Sequence, residues 1–220
     1  LVGALRSHSF VLARQNLEQE AIEAARRAAE VARMRLPTDD PLAIATRGFL
    51  SNTFIHFGRQ VEALQSIEPV AADAVRLWGG KRPYAPLVQI ERWYADALGA
   101  TGQGRRAAGM LERVLADIRA LDNVETQRVR TTLAALANAY NGFGDWNQAL
   151  HRMREAMAMD ERLAIKPSID RVVMRNGVAV FLAHLGRHEE ALAEFAAAER
   201  LAAEVGGEAA ITRALRQTWS

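Results

Sequence analysis

Apolar and small residues return along the chain three and four positions apart, in ten stretches separated by short polar breaks. That is the spacing of one buried helix face rather than of strands. It predicts first helices over 1–14, 42–57, 86–100, 125–142 and 169–185, and second helices over 18–35, 60–78, 104–121, 146–164 and 188–205. An eleventh stretch, 208–219, carries Ile211, Leu215 and Trp219 on a single stripe and is expected to cap the last pair. "PTDDP" offers Asp39 or Asp40 as a helix cap with Pro41 in the first turn. "GGKRPYAP", Gly79 to Pro86, is the expected interruption.

The breaks are not independent of one another. Gly58, Gly102, Gly144 and Gly186 are spaced 44, 42 and 42 residues apart, and Asn16 stands 42 before the first of them. Glycine and asparagine are the residues that enter the left-handed region most readily, so each marks the end of a first helix. Five residues after each anchor comes Ala21, Ala63, Ala107, Ala149 and Ala191. Seven before it stand Ser9, Ser51, Ala95, Ala137 and Ala179, and four before it Leu12, Phe54, Leu98, Tyr140 and Leu182. Nine after it stand Ala25, Ile67, Leu111, Met153 and Phe195; twelve after it, Ala28, Val70, Val114, Ala156 and Ala198. Small residues let two helices approach, and the large one fills the wedge between them. One pair cannot bury its apolar side alone, so such pairs stack.

Composition agrees and removes several function classes. The chain of 220 residues is 50% hydrophobic, 25% charged and 6% aromatic, rich in good helix formers and with only 6 prolines. No apolar run is long enough to span a membrane. The absence of cysteine excludes disulfides and thiolate metal sites and fits a reducing compartment. A net charge of +2, from 28 basic and 26 acidic residues, gives no general attraction for nucleic acid.

Leu136, Ala137, Tyr140, Gly144, Asp145, Trp146, Ala149 and Ala156 resemble the tetratricopeptide repeat consensus, and Gly186, Ala191, Phe195 and Ala198 match it nearly as well. The resemblance covers the chain as five units, 1–40, 41–85, 86–124, 125–167 and 168–207, the first being the weakest match. The 42-residue period exceeds the usual length of about 34 and is similar to kinesin light chains and bacterial signalling proteins. The bulky residue early in the first helix is present as Leu5 and Leu133 but replaced by Arg47, Glu91 and Arg175. The resemblance implies an all-α fold: one domain over 1–220, a right-handed superhelix of five helix pairs with a capping helix at 208–219. It also implies that first helices line a concave peptide-binding surface.

No catalytic constellation competes with this reading. "GQGRRA", Gly102 to Ala107, imitates a dinucleotide fingerprint but follows a helix instead of a strand. "RHEEA" at Arg187 lacks the paired histidines of a metalloprotease helix. His56 and His184 occupy equivalent slots in nonadjacent units, too far apart to share a metal. Trp146 and Trp78 are expected in the packing, and of Trp93 and Tyr94 one is expected to be buried and the other to face the groove.

First helices carry Arg6, Arg14, Arg47, Arg92, Arg128, Arg130, Arg171 and Arg175 against Glu91, Asp96, Glu125 and Asp170. We therefore read the chain as a non-enzymatic module, without cofactor or metal, that binds an extended or acidic protein segment. The expected contact residues are Asn52, Arg92, Asp96, Arg130, Asn138, Asn141 and Asn176, with Arg130 and Arg171 near the groove's edge. Asparagine can hold an extended backbone by donating and accepting at once, and arginine pairs with carboxylates. The resemblance places such an array in the cytoplasm as the C-terminal sensor or scaffold of a bacterial regulator, after a protein kinase or DNA-binding domain. The chain is then a piece of a longer protein. Self-association is the second reading. A catalytic groove using Asp96, Asn138 and Arg92 is the third. Direct nucleic-acid or membrane binding is not expected.

Overall fold

Among the described residues five adopt a left-handed backbone, and they are the five anchors: Asn16 at φ 60°, Gly58 at 70°, Gly102 at 78°, Gly144 at 82° and Gly186 at 74°. The amide that follows each one donates to the carbonyl five residues earlier. These bonds run Leu17 to Leu12 (3.0 Å), Arg59 to Phe54 (2.9 Å), Gln103 to Leu98 (2.8 Å), Asp145 to Tyr140 (3.1 Å) and Arg187 to Leu182 (2.9 Å). This is the Schellman closure of a helix. The carbonyl of the same residue then accepts from the alanine amide five beyond the anchor, as in Ala63 to Arg59 and Ala149 to Asp145, which opens the second helix. The residue after each anchor thus closes one helix with its amide and opens the next with its carbonyl.

The computed structural model describes residues 1–122, 126–163 and 166–205. Its helices are α1 (Val2–Arg14), α2 (Glu18–Arg35), α3 (Pro41–His56), α4 (Gln60–Trp78), α5 (Ala85–Ala100), α6 (Gly104–Asp122), α7 (Gln127–Asn141), α8 (Trp146–Arg162), α9 (Ile169–His184) and α10 (His188–Val205). Each lies within two residues of its expected span, and no strand occurs among the described residues. The expected cap at 208–219 lies outside them. Ala21, Ala63, Ala107 and Ala149 are wholly buried and Ala191 is nearly so, as a close helix contact requires. The helices fall into two compact units, Leu1–Leu121 and the residues from Asp122 onward.

In the first unit, Ser9 and Ser51 donate their hydroxyls to the carbonyls of Ala21 (2.8 Å) and Ala63 (2.9 Å). The small slot on the first helix is thereby tied to the alanine slot on the second. Asp40 caps α3, accepting from the amides of Leu42 (2.7 Å) and Ala43 (3.3 Å), with Pro41 in the first turn. In the segment from Gly79 to Tyr84, Arg82 forms ion pairs with Glu91 on α5 and Asp117 on α6, and Trp78 meets Tyr84 edge to face. Arg47 on α3 pairs with Asp73 on α4 at 3.1 Å.

In the second unit, Arg175 on α9 pairs with Glu194 on α10 at 2.6 Å. The three charged residues in the bulky first-helix slot therefore each face an opposite charge, and the helical register is the same in every pair. Trp146 departs from its expected place in the core. It is half-buried, its ring stacked on His184 at 4.5 Å and 5°, so it joins the start of α8 to the end of α9.

Two consequences can be measured. Ala149→Leu forces a larger side chain into a fully buried contact and should lower stability by about 1–3 kcal/mol in a thermal or urea melt. At Gly102 an added Cβ meets nothing within 4 Å, so any cost there is backbone strain at φ 78° rather than a clash. Gly102→Ala should cost about 1–2 kcal/mol and Gly102→Asn less, following Asn16 in the equivalent turn. Equal costs for the two would refute the strain account.

Candidate functional site

Helices α7 and α9 run as consecutive first helices of the second unit, and a cavity of about 370 Å³ opens between them. From α7 it takes Arg130, Thr131, Ala134, Asn138 and Asn141, which recur at the three- and four-residue spacing of one helix face. From α9 it takes Met174, Gly177 and Phe181, with Asp170, Val173 and Val180 at the margin of the same face, while α8 contributes Met153. At Gly177 an added Cβ would come into van der Waals contact with the Met153 methyl carbon, at 3.4 Å. The lining is polar at both ends and apolar between. Arg130, Thr131 and Asp170 occupy one end, and the exposed amides of Asn138 and Asn141 occupy the other.

Arg130 is the residue whose surroundings the sequence conceals. It is 3% exposed, and its Nε donates to Asp160, itself sealed on α8. The equivalent first-helix position is Val2, Ile44, Val88 and Val172 in the other pairs, and the position of Asp160 is Ala32, Ala74, Ile118 and Ala202. All of these are buried. A buried ion pair therefore stands where the other pairs pack aliphatic side chains together, as Val2 does with Ala32 and Val172 with Ala202. Asp160 Oδ2 has no hydrogen-bond partner among the described residues, and Arg171 Nε approaches it at 3.8 Å.

The other expected contact residues divide. Asn138 and Asn141 are together on the cavity, while Arg130 lies inside it rather than at its edge. Asn176 is 5% exposed and does not line it. Asn52, Arg92 and Asp96 belong to the first unit. Asn52 is half-buried on α3, and Arg92 Nε donates to both Asp96 carboxylate oxygens at 3.1 and 3.2 Å. Burial pushes the Asp96 carboxyl above its ordinary range, with Arg92 pulling the other way. Of the Trp93–Tyr94 pair, Tyr94 is buried and donates its hydroxyl to Glu68, whereas Trp93 is half-buried against Gly48.

Six of the eight first-helix arginines stand within ion-pair distance of an acidic side chain, two of them sharing Asp160. Arg47, Arg92, Arg128, Arg130, Arg171 and Arg175 meet Asp73, Asp96, Asp122, Asp160 and Glu194, and Arg6 lies over the Phe49 ring at 5.2 Å. Counting charges along first helices missed these partners because most of them stand on second helices. Among the described residues no group of three or more His, Asp or Glu could hold a metal ion, and no helix is long and apolar enough to cross a membrane.

No protein-family model matches the chain, and no curated protein sequence matches it significantly. Solved structures do. A kinesin light chain from Podosopora anserina with nearly identical TPR-like repeats superposes with a TM-score of 0.71 at 19% identity, over 94% of this chain and 97% of that one. BtubC from P. vanneervenii gives 0.72 at 22%, over 94% and 83%. A Rap protein complexed with competence and sporulation factor gives 0.75 at 15%, over 96% of this chain and 56% of that one. The fold is that of tetratricopeptide-like helical repeats.

The Arg130–Asp160 pair makes an energetic prediction. Arg130→Val or Asp160→Ala alone strands its partner in the core and should cost about 3–5 kcal/mol. The double change Arg130→Val with Asp160→Ala restores the valine–alanine pairing of the first and fifth helix pairs. It should melt close to the wild type, because an apolar pair of suitable volume commonly replaces a buried ion pair without loss. Additive costs in this double-mutant cycle would mean that the two side chains act independently.

Proposed function

We propose that this chain is a protein-interaction module whose second unit holds an extended segment of a partner protein between α7 and α9. The observation that carries the reading is the 370 Å³ cavity with an apolar floor and two exposed amides, Asn138 and Asn141, at one end. Apolar side chains of the segment sit on Met153, Val173 and Met174, while the asparagines bond its backbone from both sides of the peptide plane. The stretch of α7 from Arg130 to Asn141 rises about 16 Å, the reach of about five extended residues.

The solved neighbours support the choice of ligand class. Besides the Rap protein with its competence and sporulation factor, the Rap conjugation regulator of plasmid pLS20 was solved in complex with the Phr* peptide. We carry the idea of a peptide ligand from them to this chain, together with a non-enzymatic role. The wider setting, a sensor or scaffold within a cytoplasmic bacterial regulator, is part of the same proposal. Asn52, Arg92 and Asp96 are proposed as the corresponding contact face of the first unit.

The experiment is selection of random peptides on the immobilised chain, followed by fluorescence polarisation with the selected sequences. Asn138→Ala combined with Asn141→Ala should weaken binding at least tenfold, about 1.4 kcal/mol. Stability should change by no more than about 0.5 kcal/mol, because both side chains are exposed. His151→Ala with Arg154→Ala, exposed on α8, should leave binding unchanged. Binding lost in the α8 variant and kept in the asparagine variant would place the partner on another face.

A further inference from the structure

We propose that the open edge of the first helix pair, formed by α1 and α2, is a two-fold interface at which two copies of this chain dimerise. The proposal concerns the first unit alone and does not depend on the groove between α7 and α9.

The other pairs show what this edge leaves uncovered. Five residues before the anchor they carry Thr53, Ala97, Ala139 and Phe181, none more than 3% exposed; Val11 in the same slot is 50% exposed. Eight before it Tyr94, Leu136 and Val178 are buried, whereas His8 is exposed. Twelve before it Thr46, Ile90, Thr132 and Met174 are buried, whereas Ala4 is exposed. Ala4, His8 and Val11 follow one another three and four residues apart, so they form one uncovered face of α1. The residue after the anchor faces the same way. In the second pair it is Arg59, which reaches back to Glu18 on α2 at 3.9 Å, so its counterpart Leu17 is turned toward the open edge. Arg59 and Arg187 also pair with the glutamate three residues on, Glu62 and Glu190. Leucine cannot do this for Glu20. The first pair has therefore exchanged a cation for an exposed apolar side chain on the face that nothing covers.

The edge is complementary to itself, which selects a second copy as its occupant. A shallow cavity of about 270 Å³ runs between α1 and α2, with Leu5, His8 and Leu12 on one side and Glu20, Glu23 and Arg27 on the other. Glu20, Glu23, Arg27 and Met34 are exposed along one face of α2. With Leu17 before them, the order along the edge is apolar, acidic, basic, apolar. A two-fold axis lying in the interface across α2 sets the two copies of this helix antiparallel. Arg27 of one protomer then meets Glu23 of its partner, twice, and Leu17 of each lies toward Met34 of the other. An axis along α2 would instead oppose like charges. Another protein would have to supply this order of groups, whereas a second copy carries it by symmetry. Two helices side by side, about 20 Å wide and about 27 Å long for the 18 residues of α2, offer about 500 Å² per copy. That is the small end of specific interfaces, so the dimer forms and separates with concentration.

Sedimentation of the whole chain from about 1 μM to about 1 mM tests this. The wild-type mass should double across the range, and added salt should move the midpoint to higher concentration. Val11→Gln with Leu17→Arg should move it up at least tenfold; arginine at 17 is the residue of the second and fifth pairs, so the helix pair should fold as before. Charge reversal tests the pairing itself. Arg27→Glu should weaken the dimer at least tenfold, and Glu20→Arg with Glu23→Arg should do the same. An equimolar mixture of these two variants should dimerise at the wild-type midpoint or below, because an acidic edge then faces a basic one. A wild type that stays monomeric throughout overturns the proposal and leaves the edge to a different protein. A dimer that none of the edge variants moves also overturns it, since the copies then meet on another face. Mass rising beyond the dimer means that two different faces meet, and overturns the two-fold arrangement.

Discussion

The structure depends on one local constraint: a left-handed residue that lets the next amide bond back to the end of the preceding helix. That hydrogen bond fixes where the first helix stops. The following carbonyl fixes where the second begins, and the alanine that donates to it sits in the helix contact. Turn geometry and core packing are therefore one condition, because a longer or differently shaped turn would bring another residue to the contact. Glycine serves three of the turns for conformational reasons alone: at Gly58, Gly102 and Gly186 an added Cβ would meet nothing within 4 Å, and at Gly144 it would meet only the Trp146 ring at 3.8 Å.

Once the frame is fixed in this way, individual slots can change chemistry without moving the helices. The bulky first-helix slot is leucine in two pairs and charged in three, and each charge has an opposite one on a neighbouring segment. The slots of Arg130 and Asp160 change together, both apolar in four pairs and both charged in one. Changing one partner alone would leave a charge stranded in the core, which explains why the departures come as pairs.

This distinction also explains which features were legible in the sequence. The anchors, the five alanines and the ten helices were readable because each is set by residues a few positions apart, and periodicity reports local constraints. That Asn138 and Asn141 share one exposed helix face, now seen to line the cavity, was readable because the face follows from the register. Asn176, on the same kind of helix, is buried beyond the cavity, so helix identity alone did not decide exposure. The fate of each arginine was not readable, since Arg47 and Asp73, or Arg130 and Asp160, stand 26 and 30 residues apart and meet only after the pairs have formed. Trp146 was misjudged for a similar reason, because its stacking partner His184 belongs to the next pair.

A repeated scaffold therefore divides its information in a way that bears on function. Slots that stay the same in every pair specify the fold, and no ligand can be read from them. Slots that differ carry what one pair does and the others do not. The α7–α9 cavity is made of such differences: glycine at 177 where the other first helices have Ser7, Phe49, Trp93 and Ala135, an amide at 141 where they have Ala13, Ile55, Gly99 and Ala183, and an arginine in an aliphatic slot. The first leaves space beside Met153, the second places an exposed amide on the cavity, and the third brings a cation to a wall that also carries Asp170. All three converge on one space, between one pair of first helices. Drift in a solvated face would scatter such changes around the chain. Their coincidence on one cavity is what supports the proposal made for it.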